Sequence, residues 1–144
     1  MQDNRRFMDK KYLYLSDELI KKNIRPSHQR LKILEYFYIY HNHPTVDEIF
    51  NTLKKSMPTL SKATIYNTLK AFVQERIVEE IFIDDNEVRY ELRAKSHGHF
   101  KCRKCGTIYD FDIAIDEIPA GGLNEFKVED KSVYFKGVCP KCLK

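Results

Sequence analysis

"HGHFKCRKCG", residues 97–106, sets His97, His99, Cys102 and Cys105 within nine positions, and a second C-x-x-C pair follows at Cys139 and Cys142. Each C-x-x-C is a knuckle that presents two thiolates to one ion. Two knuckles make a tetrahedral sulfur set, which suits structural zinc and leaves no open position. Gly106 after the first pair and Pro140 inside the second fit the tight turns such knuckles need. A thiol–disulfide switch is the sharper alternative, and oxidation with zinc ejection would couple the two. Rubredoxin-like iron would use the same sulfurs, although nothing else in the sequence suggests electron transfer.

If zinc takes all four sulfurs, His97 and His99 remain. Residues two apart on a strand point to one face. Two imidazoles on one face beside a carboxylate can form a second, mixed nitrogen–oxygen site, with Asp110 and Glu91 as candidate oxygen ligands. The plain alternative is a pair of surface or core histidines without a metal. The motif therefore points to two metals, one closed and structural, the other functional.

Positioning these side chains takes a specific order of elements. Residues 1–23 have a helical, amphipathic pattern. Pro26 interrupts it, and Ser27 can cap a helix over "HQRLKILEYFYIY". In "HPTVDEIFNTLKKS", Thr45 and Glu48 fit a capping box, and Val46, Ile49, Phe50 and Leu53 recur at helical spacing. After Pro58, "LSKATIYNTLKAFVQE" predicts a further helix capped by Ser61 or Thr59. "RIVEEIFI" and "VRYEL" flank "DDNE" as a hairpin. Helices followed by a hairpin match a winged helix-turn-helix.

The polar "RAKSHG" predicts a hinge. Beyond it, "HFKC", "TIYDFDI" and "SVYFKGVC" have strand character, and "AIDEIPAGGLNE" allows a short helix at best, given Pro119, Gly121 and Gly122. The fold class expected is α+β: a winged-helix domain over residues 1–93, a hinge at 94–98, and a small α/β domain with the four-cysteine zinc site at 99–144.

A chain of 144 residues has room for one ordinary domain or two small ones. No stretch is long and apolar enough to span a membrane, and the N-terminal residues do not read as a signal peptide. A cytoplasmic location is expected, where C-x-x-C pairs bind metal more often than they form disulfides. Net charge is +4. Residues 1–30 hold eight Lys/Arg against four Asp/Glu, and residues 51–76 hold five against one. That bias suggests a polyanion partner for the N-terminal half, with a solvated lysine-rich surface as the bland alternative.

On a helical wheel of "SKATIYNTLKAFVQ", Ile65, Leu69, Phe72 and Val73 fall on one side and Ala63, Tyr66, Asn67 and Lys70 on the other. Lys70 can meet phosphate, Asn67 can reach base edges, and Ala63 or Tyr66 can pack on a thymine methyl. Ser61 and Thr64, at the start of this helix, join the candidate DNA contacts.

From about residue 14 to 142 the sequence resembles the ferric uptake regulator (Fur) superfamily, including its peroxide-responsive, PerR-like branch. The resemblance rests on "RPSHQR" at 25–30, "HPT" at 43–45, "ATIYNTL" at 63–69, "RYEL" at 89–92, "HGHFKCRKCG" at 97–106 and "GVCPKC" at 137–142. It implies a homodimeric, metal-dependent repressor that binds a double-stranded DNA operator, with a C-terminal dimerisation domain. Cys102, Cys105, Cys139 and Cys142 align with structural zinc ligands. His43, Glu91, His97, His99 and Asp110 align with the regulatory site, which takes Fe2+ or Mn2+, with zinc as a further occupant in vitro. Tyr66 aligns with a DNA-contacting tyrosine, and Arg25 lies where the family places basic residues near the phosphate backbone.

Departures from the family pattern carry information. At the positions of an additional family metal site stand Ser96, Gly98 and Lys131, with only Glu117 kept, so that site is expected to be absent. The "PAGG" stretch points to a reduced dimerisation helix. Asp110 matches the PerR-like branch, whereas Glu91 leans towards the iron-responsive branch. Peroxide sensing is the favoured expectation; iron, zinc or manganese sensing stays open. A metalloenzyme using the nitrogen–oxygen site is a remote alternative, since five protein ligands leave little room for substrate and no nucleophile accompanies them. A purely structural zinc module would leave His43, His97, His99 and the reading helix without a role.

Overall fold

The structure, a computed structural model, describes residues 2–144, with side chains from residue 10 onward. Met1, the first residue of the expected N-terminal helix, lies outside the described residues. The chain divides after Arg93 into two compact units.

In the first unit, helix α1 spans Gln2–Lys21, α2 His28–Ile39, α3 Val46–Leu53 and α4 Lys62–Gln74. Strands β1, Val78–Ile81, and β2, Arg89–Leu92, close as an antiparallel hairpin. Local chemistry sets the helix starts. Ser27 and Ser61 accept from the backbone N–H groups of Arg30 and Thr64. Thr45 and Glu48 form the reciprocal capping box, both bonds at 3.2 Å. Arg76, at φ 59°, ends α4, and the Ile77 N–H donates to the Phe72 carbonyl at 2.8 Å.

The periodic apolar residues predicted for α3 and α4 are joined in the core by residues of α1, α2 and the hairpin. Leu15, Leu19, Ile33, Leu34, Ile49, Ile65, Leu69 and Phe72 form one buried core with Val78 and Tyr90 of the hairpin. Four helices and a two-stranded wing around this core make a winged helix-turn-helix.

In the second unit, β3, His97–Cys102, is the centre of a three-stranded sheet. It pairs antiparallel with β4, Ile108–Asp112, and parallel with β5, Tyr134–Gly137. β3 takes in residues 97 and 98 of the polar segment after Arg93. Between β4 and β5 the only helical turn is a short 3-10 turn, Ile115–Glu117, consistent with the prolines and glycines there. A helix beyond those expected from sequence, α5 over Pro140–Leu143, carries the last cysteine, with Pro140 in its first turn.

Alternation gives this sheet two different faces. One carries His97, His99, Asp110 and Tyr134; the other carries Phe100, Tyr109, Phe111 and Phe135. Gly98, the second residue of β3, lies on the aromatic face. Phe111 and Phe135 come from the two outer strands yet stack with centroids 4.8 Å apart. A Cβ at Gly98 would sit 2.2 Å from the Phe111 ring, so the ring occupies the space that a side chain would fill. The buried apolar residues of this unit are Cys102 and Cys139. A unit so poor in aliphatic core depends on another source of stability, as small domains do.

Among the described residues no helix is long and apolar enough to cross a membrane.

Candidate functional site

The parallel pairing of β3 with β5 explains how two cysteine pairs far apart in sequence meet. Parallel strands end at the same edge of a sheet. Cys102 is the last residue of β3, and its register partner is Gly137 at the end of β5. Cys139 follows two residues later, and Cys105 and Cys142 sit one turn beyond each strand. All four sulfurs lie within 4.8 Å of one another. The Cys105 and Cys139 sulfurs are 3.8 Å apart. Ligands at the usual zinc–sulfur length of ~2.3 Å on a tetrahedron stand about 3.8 Å apart, so the cluster fits a metal of that size. Gly106, at φ 77°, turns the chain back after the first pair, which fits a glycine.

The sulfurs are not electrostatically equal. Backbone N–H groups of Cys105 and Cys139 point at Cys102 Sγ from 3.5 and 3.3 Å. With these donors the Cys102 thiol is lowered to about 6. The Tyr109 hydroxyl hydrogen-bonds Cys139 and lowers that thiol as well. The same bond pushes Tyr109 up to about 12. Cys142 is raised to about 12 by its hydrogen bond with Cys139. Cys102 is thus prepared as a thiolate and Cys139 is shifted in the same direction, while Cys142 would give up its proton to an incoming ion.

The nitrogen–oxygen residues fall into one set in each unit. In the second unit, His97 and His99 share the polar face of β3, with Nε2 atoms 3.1 Å apart. The other ring nitrogen of His97, Nδ1, lies 2.6 Å from the Lys95 carbonyl. A proton on Nδ1 leaves the Nε2 lone pair for a ligand, the arrangement metal-binding histidines favour. Asp110 stands opposite His99 on β4, its Oδ1 3.5 Å from His99 Nε2 and 4.0 Å from His97 Nε2. His99 is buried, while Asp110 is exposed.

In the first unit, His43 Nε2 is 3.3 Å from Glu91 Oε2. The loop before α3 is tied to strand β2. Arg89 donates to the His43 carbonyl at 2.8 Å, and the Tyr90 N–H to the Pro44 carbonyl at 2.9 Å. "HPT" and "RYEL", remote in sequence, are thereby held side by side. Ligands about 2.1 Å from a six-coordinate ion stand about 3 Å apart; the His97–His99 and His43–Glu91 spacings of 3.1 and 3.3 Å are close to that, while Asp110 stands farther out, at 3.5 Å from His99 and 4.0 Å from His97.

The α4 face has the predicted character. Ser61, Ala63, Tyr66, Asn67 and Lys70 are exposed and Thr64 is half-buried, while Ile65 and Leu69 are buried. Arg25 is exposed and shares a groove with Arg30, Thr64 and Asn67. Arg30, whose guanidinium donates to the Arg25 carbonyl at 2.7 Å, joins this groove without having been singled out from sequence, although it closes the quoted "RPSHQR". Tyr109 and Glu79 also escape a reading of the sequence alone. Strand alternation places Glu79 on the Glu91 face once the hairpin register is known.

Residues 21–136 match the Ferric uptake regulator family. The peroxide-responsive repressor PerR of Staphylococcus epidermidis is 37% identical over 127 residues, covering 86% of this chain and 85% of that protein. Among solved structures, the ferric uptake regulator of Francisella tularensis with iron aligns with a TM-score of 0.69 at 27% identity, over 84% of this chain and 96% of that one. A PerR of Streptococcus pyogenes, described for peroxide sensing and gene regulation, aligns with a TM-score of 0.52 at 32% identity, over 91% and 92%. With its winged helix, its cysteine cluster and its two nitrogen–oxygen donor sets, this chain belongs to the ferric uptake regulator family.

Proposed function

We propose that the chain is a homodimeric, metal-dependent transcriptional repressor that binds operator DNA through α4 and senses peroxide at a regulatory iron or manganese site. The observation that carries this reading is the coexistence of a closed sulfur cluster with two nitrogen–oxygen donor sets, one in each unit. Zinc in the Cys102–Cys105–Cys139–Cys142 cluster holds the second unit together. One regulatory ion draws on both His43–Glu91 and His97–His99–Asp110.

A ligand set drawn from two units favours one arrangement of them only by binding that arrangement better. DNA binding and metal binding then strengthen each other. Arg25, Ser61, Ala63, Thr64, Tyr66, Asn67 and Lys70 form the DNA-contacting set. The homodimer forms through the second unit, whose aromatic sheet face leaves Phe135 52% exposed. The relatives named as peroxide-responsive repressors and the presence of Asp110 support peroxide as the signal. Iron, when bound, supplies the redox centre; the protein supplies imidazoles close enough to be oxidised. Glu91 is the residue that favours the second reading, an iron-responsive repressor.

Operator binding measured with iron or manganese, each with and without peroxide, tests the proposal. Both ions should support binding, and peroxide should release only the iron form. Iron-dependent binding that survives peroxide would favour the iron-responsive reading.

A further inference from the structure

We propose that Glu79 is a further oxygen ligand of the regulatory metal and biases the site towards manganese over zinc. The inference rests on the regulatory-site reading above and extends its ligand set.

Glu79 on β1 and Glu91 on β2 are direct register partners of the antiparallel hairpin. Directly opposed residues share a sheet face, and like charges in that position are destabilising. Ligand-capable oxygens of the two side chains lie within 4.8 Å of each other. Glu91 is only 7% exposed and Glu79 is half-buried. Placing two carboxylates together away from bulk water is costly, and metal coordination is one of the ways proteins offset that cost.

His43 brings a nitrogen donor to the same corner, 3.3 Å from Glu91. Its position is fixed independently of any ion by the Arg89 and Tyr90 bonds to the His43 and Pro44 carbonyls. The His43 imidazole and the Glu79 carboxylate therefore each approach Glu91 within the first unit. Counted with Glu91 and Asp110 of the proposed set, a third carboxylate makes the donors richer in oxygen. Oxygen donors suit manganese, whereas imidazole nitrogen suits zinc and iron alike. Glu79 thus shifts selectivity as well as affinity.

The test uses the full chain with its cysteine cluster loaded with zinc. Mn2+ affinity is measured by electron paramagnetic resonance and calorimetry, and Zn2+ affinity for the second site by competition. Variants Glu79→Gln and Glu79→Ala are compared with Glu91→Gln and His43→Ala. Both Glu79 variants should weaken Mn2+ by about tenfold or more, at least the loss that outer-shell groups produce. Zn2+ affinity should fall less, so the Mn2+/Zn2+ ratio drops. Having two variants keeps the test decisive if one folds poorly, and zinc content with a thermal melt identifies that case. If Glu91→Gln and His43→Ala lose Mn2+ while both Glu79 variants keep normal affinity and selectivity, Glu79 is not a ligand and the regulatory site stands. If all four variants bind Mn2+ normally, the regulatory-site reading falls and this inference with it.

Discussion

The backbone N–H of Cys139 donates to the sulfur of Cys102, 3.3 Å away, joining the ends of two parallel strands through one atom pair. With the Cys105 N–H it lowers the Cys102 thiol, and it ties the assembly of the cluster to correct pairing of β3 with β5.

Replacing Cys102 or Cys139 by Ser should release zinc and unfold the second unit. Structural zinc is worth about 10–16 kcal/mol in small zinc-dependent peptides, against about 5–15 kcal/mol for the whole stability of a typical domain. Elemental analysis and a thermal melt check this. A full zinc complement with an unchanged melt would remove the assignment.

Tyr66→Ala and Lys70→Ala should both weaken operator binding at unchanged metal content. Lys70→Ala should act on all sequences alike and lower the salt slope by about one unit. Tyr66→Ala should also blur discrimination between operator and random DNA. Titrations at several salt concentrations separate the two effects. Wild-type affinity in both variants would mean that another element enters the groove.

His43→Ala should keep the cysteine-bound zinc and the dimer but lose metal-dependent DNA binding. Sedimentation, zinc analysis and gel shifts with added Mn2+ read the three properties separately. Retained metal dependence would remove His43 from the regulatory set.

Under peroxide, the iron-loaded chain should gain one oxygen atom on His43 or His97. Peroxide transfers that oxygen to an imidazole carbon and leaves as water. Peptide mass spectrometry locates it. Oxygen found only on methionine or cysteine would point to an iron sensor or a thiol switch. Asp110→Glu should lower peroxide sensitivity while metal-dependent binding survives.

Gly98→Ala should destabilise the second unit by about 1–3 kcal/mol, the usual cost of forcing extra atoms into a filled space. The added methyl meets the Phe111 ring, which stacks on Phe135 and so has little freedom to retreat. Combining Gly98→Ala with Phe111→Leu should recover part of the loss. A double-mutant cycle measures that coupling, and strict additivity would exclude the steric account.

Much of this arrangement is legible in the residues. The Thr45–Glu48 box, the Ser27 and Ser61 caps and the apolar face through Ile65 and Leu69 act within one or two helical turns, so local sequence carries them. The two cysteine pairs identify a metal cluster by spacing alone. Pairings between distant segments are not legible in the same way. The parallel register of Cys102 with Gly137 follows from sheet closure, and the hold of Arg89 on the His43 carbonyl follows from how the wing packs beside α3. Glu79 is hidden for the same reason: a glutamate in "RIVEEIFI" looks like any solvated strand residue until its partner across the hairpin is known. The proton preferences of Cys102 and Cys142 depend on hydrogen bonds that spacing does not encode.

The segment between β4 and β5, residues 113–133, carries one short 3-10 turn and no other regular element. Its ends are fixed by strands that pair with β3 on opposite edges, and neither the sulfur cluster nor the His97–His99 pair draws a ligand from it. The entropy of closing a flexible loop grows only with the logarithm of its length, about 0.6 kcal/mol for each doubling. Extra residues near Gly121 and Gly122 would therefore cost the second unit little. The crossover is the one stretch of this unit where chain length is nearly free to vary, and a new helix or contact surface could be accommodated there without disturbing the metal chemistry on either side.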